Sequence, residues 1–196
     1  MCDVGGRPSQ LLAAMGEFLV LRLHNDSPRG RVLVLLLILM TIIAFDQATK
    51  AYAVDHLKDA ERMSFLGGII HIVYAENEGA FLSLGETLSD QTRFLVFTVM
   101  NGLFLAGIAW YLLWRPQRSR LEFVAFSLLL AGGIGNLIDR IVTGGRVIDF
   151  LNVGIGPVRT GIFNVADVAI SAAALILLLL YFRMSRSGNS DLVPDC

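Results

Sequence analysis

The sequence predicts an all-α membrane protein with four transmembrane helices and a small β-rich outer cap. Hydrophobic residues make up 55% of its 196 residues and charged residues only 17%, and the mean hydropathy is +0.63. This composition departs from that of a soluble domain. Four runs approach the about 20 apolar residues that a spanning helix needs. They cover residues 32 to about 54, 94–114, 123 to about 138 and 163–182.

The runs are predicted to be helices because Leu, Ile, Val and Ala follow one another without the alternation of barrel strands. Their orientation follows from the arginines, which favour cytoplasmic flanks. These arginines stand before the first run, between the second and third, and after the fourth: Arg22, Arg29, Arg31, Arg115, Arg118, Arg120, Arg183 and Arg186. Both termini are therefore expected on the cytoplasmic side.

The two ends of the chain lie outside the predicted membrane unit, which covers residues 31–185. Residues 1–30 contain an amphipathic stretch, LLAAMGEFLVLRLH, whose Glu17 and Arg22 make it too polar for a span or a signal-peptide core. We interpret them as a cytoplasmic extension. Residues 186–196 are predicted to be a polar cytoplasmic tail.

Two connecting segments fall on the predicted outer side. In the first, residues 55–91, MSFLGGIIHIVYA and GAFLSLG are typical of short strands broken by glycines, which predicts the β-rich cap. The second, residues 141–162, contains five glycines and a proline. It is predicted to be an irregular outer loop with a short helical turn.

Three aspartates within the apolar runs are predicted to lie at a similar depth in the bilayer. Counted at about 1.5 Å per helical residue from the cytoplasmic edge, Asp46, Asp139 and Asp167 lie about 21–24 Å into a core of about 30 Å. Ionisable groups at this depth are costly, and they usually face a bundle interior or a wet cavity that serves function. The pattern predicts a polar pocket just below the outer boundary.

Structural roles are also open for these charges. Asp46 and Lys50, at i and i+4, could be an ion pair that ends the first helix. Asn136, Asp139 and Arg140 share one face of the third helix, where Asp139 and Arg140 could form a local charge pair. These alternatives need no catalysis.

Asn164 and Asp167 have the spacing of a helix N-cap and an acidic third residue, a role compatible with an ionised site carboxylate. Asp149 is different, because it lies among apolar neighbours in the second outer segment and no helix cap explains it. If this loop folds over the bundle, Asp149 meets Asp167. Two adjacent carboxylates do not both ionise easily, so one keeps a proton while the other acts as base toward water, as in aspartic proteases.

Five short blocks stand in order on the four predicted spans: DQATK (46–50), NEGAF (77–81), GGIGNLIDR (132–140), VIDF (147–150) and FNVADVAI (163–170). Together they resemble the lipoprotein signal peptidases, also called signal peptidase II, over residues 31–183. The resemblance implies an aspartic endopeptidase of the bacterial cytoplasmic membrane. Such an enzyme removes the signal peptide from diacylglyceryl-modified prolipoproteins by cutting before the lipidated cysteine.

The resemblance also implies the site residues. Asp149 and Asp167 match the catalytic pair. Seven further residues match positions that bind the substrate or support the site: Asn77, Asn136, Arg140, Asp46, Lys50, Asp139 and Asn164. The cap and the second outer loop would hold the substrate over the active site, near the periplasmic face.

Cofactors and partners follow from the same resemblance. The family needs no metal or organic cofactor, and Cys2 and Cys196, at opposite ends of the chain, indicate neither a disulfide framework nor a metal cluster. The expected partners are diacylglyceryl-modified prolipoproteins and the phospholipid bilayer, with no nucleic acid. We expect the protein to act as a monomer.

Two departures from the family pattern concern the second outer segment. The stretch from Asp139 to Asp149 is one residue longer than expected, with Gly144 and Gly145 adjacent, and RTGI stands where an aromatic–proline pair is expected. Two other functions are also compatible with buried charges. One is a transporter or ion-conducting protein, although the inner halves of the spans offer no polar relay. The other is a substrate-binding relative without catalytic activity.

Overall fold

The computed structural model describes residues 28–78, 89–115 and 119–190. Its elements in chain order are α1 (Pro28–Leu57), β1 (Met63–Phe65), β2 (Ile70–Asn77), α2 (Asp90–Phe94), α3 (Asn101–Trp114), α4 (Arg120–Thr143), β3 (Val147–Ile155), β4 (Val158–Arg159) and α5 (Val165–Ser190). A π-helical stretch, Leu95–Met100, joins α2 to α3. The chain divides into two compact units. The first, Met1–Ile38, is described only from position 28 and is helical there. The second, Leu39–Cys196, contains the sheet and the candidate site.

Four helices in the described part of the chain are long and apolar enough to cross a membrane, which confirms the predicted number of spans. The third is the most enclosed: half of its apolar window is buried, against 22% and 17% for the second and fourth. This helix, α4, is longer than the predicted 123–138. Ser119 Oγ accepts a hydrogen bond from Glu122 N at its start (3.1 Å), and Gly144 ends it in a left-handed conformation with φ 74°.

Glycines allow the start of α5 to approach α4 closely. A Cβ at Gly132 would lie 2.5 Å from the backbone oxygen of Ala166, and one at Gly135 would lie 3.3 Å from Ala166 Cβ and 2.6 Å from Asp46 Oδ2. Small residues permit such approach between membrane helices. As a result, α1 and α5 place polar groups against the same stretch of α4.

The strands form one antiparallel sheet in the order β1-β2-β3-β4. The predicted strand segment MSFLGGIIHIVYA is present as β1 and β2, and it is broken at a 3₁₀ turn, Leu66–Gly68, where both glycines have positive φ. The predicted strand GAFLSLG lies outside the described residues. So do residues 1–27 of the predicted extension and 191–196 of the predicted tail, whereas α5 continues through Ser190.

The prediction of an irregular loop over residues 141–162 is wrong. Half of this segment forms β3 and β4, and β3 pairs with β2 across the sheet, with Ala75 opposite Asp149 and Asn77 opposite Val147. The glycines that suggested a loop have local roles. Gly144 ends a helix, and a Cβ at Gly154, inside β3, would lie 2.4 Å from the Val158 oxygen of β4.

The sheet lies at the end of the helices where α1 and α4 finish and α5 begins. Phe150 of β3 is buried against Ala53 and Leu57 in the last turns of α1. Leu151 and Phe163 exchange backbone hydrogen bonds of 2.8 Å, which ties β3 to the residues just before α5. Asp149 is therefore held on a paired strand directly beside the start of α5.

Candidate active site

Lys50 of α1 is the cation at the centre of the buried polar cluster, with a side chain only 2% exposed. Its Nζ lies 2.8 Å from Asp46 Oδ2 and 2.9 Å from Asp139 Oδ2, and it donates a 2.9 Å hydrogen bond to Asn136 Oδ1. The predicted pair of Asp46 and Lys50 thus extends to α4. Buried charges are tolerated when they are paired and hydrogen-bonded in this way.

The two carboxylates that face Lys50 also fix neighbouring backbone. Asp46 Oδ1 accepts a hydrogen bond from Ala166 N, in the first turn of α5, at 2.9 Å. Asp139 Oδ2 accepts one from Ile148 N at 3.1 Å, next to Asp149. The sequence suggested a local pair of Asp139 with Arg140. Asp139 does interact electrostatically with Arg140, and it also ties α4 to both Lys50 and the start of β3.

Two asparagines connect this cluster to the remaining aspartates. Asn136 Nδ2 donates to Asp167 Oδ1 at 2.8 Å, while its Oδ1 accepts from Asn164 Nδ2 at 3.1 Å. Asn164 Nδ2 also lies 2.7 Å from Asp149 Oδ1 as a donor. Asn164 and Asp167 form the predicted reciprocal cap: Asp167 N donates to Asn164 Oδ1 at 2.9 Å, and Asn164 N to Asp167 Oδ2 at 3.2 Å.

Asp149 and Asp167 lie close enough to interact electrostatically. Asp149 is 2% exposed and also accepts a 3.1 Å hydrogen bond from Asn77 Nδ2. Burial and then the charge of Asp167 raise the pKa of Asp149 to about 7, against opposing hydrogen bonds from Asn77 and Asn164. The guanidinium of Arg140 interacts electrostatically with both aspartates. At neutral pH the pair can therefore carry one proton and one negative charge.

Two cavities meet at Asp167. One, of about 660 Å³, lies between the sheet and α5, and the other, of about 700 Å³, lies among the π-helical stretch, α3, α4 and α5. Both are lined by Asn136, Arg140, Asp167 and Ser171. Most of their other lining side chains are apolar. A polar centre is thus reached from two directions through apolar walls.

The structure brings all nine sequence-predicted site residues into one network or onto the wall of one cavity. Three further residues belong to it. Gln47 Nε2 donates to Asp139 Oδ1 at 3.0 Å and to the Gly135 oxygen at 3.2 Å, and its place in the DQATK block was the available signal. Ser171 stands one helical turn after Asp167, whereas nothing in the sequence pointed to Arg159. Among the described residues, no group of three or more His, Cys, Asp or Glu side chains is arranged to hold a metal.

The contact between Gly135 and Asp46 makes a specific prediction. Gly135→Ala should displace the Asp46 carboxylate, because the new Cβ would lie 2.6 Å from Oδ2, and overpacking of this kind costs about 1–3 kcal/mol of stability. Gly107→Ala in α3 is the matched control, since a Cβ there meets no atom within 4 Å. Denaturant unfolding in detergent should show a loss for Gly135→Ala alone. Equal stability of the two variants would contradict the packing described here.

Comparison with known proteins places the chain in a family. The sequence model described as "Signal peptidase (SPase) II" matches residues 38–183. The chain is 35% identical over 161 residues to a lipoprotein signal peptidase of Streptococcus pyogenes serotype M1, and 32% identical over 161 residues to that of Streptococcus pneumoniae strain R6. Each alignment covers 82% of this chain and 99% of the relative.

Solved structures agree with this assignment. A structure described as a bacterial membrane enzyme, solved in meso at 2.3 Å, superposes with a TM-score of 0.68 at 26% identity, covering 83% of this chain and 93% of the other. A second structure with the same description, solved at 1.9 Å, superposes with a TM-score of 0.65 at 28% identity, covering 76% of this chain and 92% of the other. The four apolar helices fit a multi-pass bacterial membrane protein. Sequence, fold and relatives together show that the chain belongs to the signal peptidase II family.

Proposed function

We propose that the protein is a membrane-embedded aspartic endopeptidase that removes the signal peptide from diacylglyceryl-modified prolipoproteins, cutting before the lipidated cysteine. The observation that carries the proposal is the pair of Asp149 and Asp167, held by three asparagines at the junction of two largely apolar cavities. Relatives of the same family, aligned over 82% of this chain, are named lipoprotein signal peptidase. Asp149 and Asp167 are the proposed catalytic residues.

The proposed mechanism assigns one role to each aspartate. Asp149 holds the shared proton, because burial and its neighbour raise its pKa to about 7. Asp167 is the base, since Asn136 Nδ2 and the backbone N–H of Asn164 donate to its carboxylate. Asp167 takes a proton from a water molecule that attacks the scissile carbonyl, while Asp149 donates its proton to the carbonyl oxygen.

Other polar residues of the network are proposed to bind or support rather than react. Asn77, Asn136 and Arg140 line the cavity beside the sheet, where they face the substrate backbone. Asp46, Lys50, Asp139 and Asn164 are buried and hold this wall in place. We also propose that residues 31–185 form the membrane unit, residues 1–30 a cytoplasmic extension and residues 186–196 a cytoplasmic tail. All the polar residues named above belong to the membrane unit.

The substrate explains why the site lies within a membrane protein. Each buried CH₂ contributes about 0.8 kcal/mol to lipid anchoring, so a diacylglyceryl-modified peptide stays in the bilayer and the enzyme must act there. Two apolar cavities that meet at Asp167 suit a substrate with both a peptide and acyl chains. With arginines on cytoplasmic flanks, both termini lie in the cytoplasm and the site lies near the periplasmic face. The enzyme is proposed to act as a monomer, without a metal or organic cofactor and without nucleic acid.

A gel-shift cleavage assay tests this function directly. Purified protein in detergent is incubated with a diacylglyceryl-modified prolipoprotein and, separately, with its unmodified form. We expect only the lipidated form to be shortened, because the unmodified peptide lacks the chains that fill an apolar cavity. Equal cleavage of both forms would contradict the assigned substrate, and no cleavage of either would favour a non-catalytic relative or a transporter.

The pH dependence of cleavage should have an alkaline limb near neutrality. Below pH 7 Asp149 is protonated and the pair has one acid and one base; above pH 7 both carboxylates are charged and no proton is available for the carbonyl oxygen. We therefore expect kcat/KM to fall about tenfold per pH unit above about pH 7. Initial rates at low substrate concentration from pH 5 to 9 measure this. A flat profile up to pH 9 would show that Asp149 does not supply the proton.

A further inference from the structure

The turn between α4 and β3 has a conformation that only glycine adopts easily. Gly144 and Gly145 have φ angles of 74° and 113°, and a Cβ at either position would meet nothing within 4 Å. The backbone direction, rather than lack of space, therefore requires glycine here. This turn delivers Arg146 to the side of β2, where it meets Glu76.

Arg146 joins the end of α4 to β2. Its Nη1 forms an ion pair with Glu76 Oε2, while its Nε and Nη2 donate to the Thr143 oxygen at 3.4 and 3.3 Å. Its backbone N also donates to Thr143 Oγ1 at 3.0 Å. The side chain is 44% exposed and Glu76 is 28% exposed. Neither residue lines either cavity at Asp167.

Glu76 lies in the part of β2 that pairs with the start of β3, next to Asp149. It pairs with Ile148, while its neighbours Ala75 and Asn77 pair with Asp149 and Val147. Asn77 reaches across this register to donate to Asp149 Oδ2. Glu76 Oε1 also accepts from the Tyr74 hydroxyl at 2.7 Å and lies 3.7 Å from Lys58 Nζ. The hydroxyl of Tyr74, with Arg146 and Lys58, holds the pKa of Glu76 below its usual value, so its carboxylate is charged.

We propose that Arg146 and Glu76 form a clasp, an ion pair outside the cavities that fixes the β2–β3 register and so keeps the Asn77 side chain hydrogen-bonded to Asp149. Both are positioning residues. The inference rests on the proposed function, since it concerns the proposed catalytic pair. Asp139 holds Ile148 from the α4 side, and the ion pair holds the same part of β3 from the β2 side. An exposed ion pair contributes little to the free energy of unfolding. Its loss should therefore change the hydrogen bond between Asn77 and Asp149 rather than the overall stability.

The test compares pH profiles of kcat/KM for Arg146→Gln, Glu76→Gln, their double variant and Lys58→Gln. Without the clasp the Asn77 hydrogen bond weakens, charged Asp149 loses stabilisation, and the alkaline limb should move up by about half a pH unit. We expect the same shift in both single variants and no larger shift in the double variant. Arg146→Lys should restore most of the wild-type profile. Lys58→Gln is the matched control, because Lys58 contacts the same carboxylate but does not reach β3.

Two further measurements separate this inference from the proposed function. Asn77→Ala should shift the limb in the same direction as Arg146→Gln. If wild type cleaves and Asn77→Ala shifts the limb while Arg146→Gln does not, the clasp is wrong and the proposed function stands. A shift in Lys58→Gln as large as that in Arg146→Gln would also overturn the clasp, as a general charge effect. Hydrogen exchange of the Ile148 and Asp149 amides gives a readout without cleavage: exchange should be faster in Arg146→Gln, and unchanged exchange would count against the proposal.

Discussion

Asp149→Asn and Asp167→Asn should each lower the turnover of a lipidated prolipoprotein by at least about a thousandfold. An asparagine at position 149 has no acidic proton to give to the carbonyl oxygen, and an asparagine at position 167 cannot take a proton from water. Positioned acid or base groups contribute about 10²–10⁴-fold each, and residues that act as a unit lose most activity when either is removed. The measurement is single-turnover cleavage, followed by gel shift.

The matched control for this experiment is Asp59→Asn, because Asp59 is exposed and follows α1 at the same end of the helices. It should retain wild-type turnover. Asparagine keeps the shape of aspartate but not its charge, so both variants are expected to fold. Unfolding curves identify any aspartate variant that loses activity through misfolding. Near-normal turnover in a folded Asp149→Asn or Asp167→Asn protein would make that residue structural and would refute the proposed mechanism.

Lys50→Met should lower the free energy of unfolding by about 3–5 kcal/mol. The substitution keeps the apolar stem but removes the ammonium that lies within 2.9 Å of both Asp46 and Asp139. Breaking a buried pair by removing one partner costs about this much, because the remaining charges stay buried without compensation. Denaturant unfolding in detergent micelles measures the loss.

The control for this second prediction is Lys58→Met, whose ammonium is 54% exposed and lies 3.7 Å from Glu76. Surface substitutions of this kind usually change stability by less than about 0.5 kcal/mol. The double variant Lys50→Met/Asp139→Asn should recover part of the loss, because one buried charge is removed together with its partner. If the two lysine variants were equally stable, the buried ammonium would not hold the cluster together.

Depth along a helix was readable from the chain, and contact between helices was not. Counting residues placed Asp46, Asp139 and Asp167 at one level, and in the structure Lys50 and Asn136 connect that level. For the charges within the spans, the sequence indicated specific partners only inside each helix, such as Arg140 for Asp139. Lys50, the ion-pair partner of Asp139, is 89 residues away along the chain, and side-chain spacing in a single helix carries no information on such pairs.

Asp149 shows the same limit in the sheet. Its role in a pair with Asp167 was expected on chemical grounds and by resemblance, yet it was placed in an irregular loop because glycines surround it. Glycine serves loops, helix ends and close strand pairs alike, and only the φ of Gly144 and the approach of β4 to Gly154 separate these uses. Gln47 belongs to the site as well, and only its place inside the DQATK block pointed to it.

The sequence by itself determined the four spans, the cap strands β1 and β2, the capped start of α5 and the family. These depend on local patterns, because lipid leaves the backbone of each span no hydrogen-bond partner outside its own helix. Only the tertiary structure decided that the segment after α4 is a strand and that its register sets Asn77 on Asp149. Strand pairing joins residues that are distant in sequence, here 72 positions apart, and its register is settled by packing and long-range hydrogen bonds rather than by local composition.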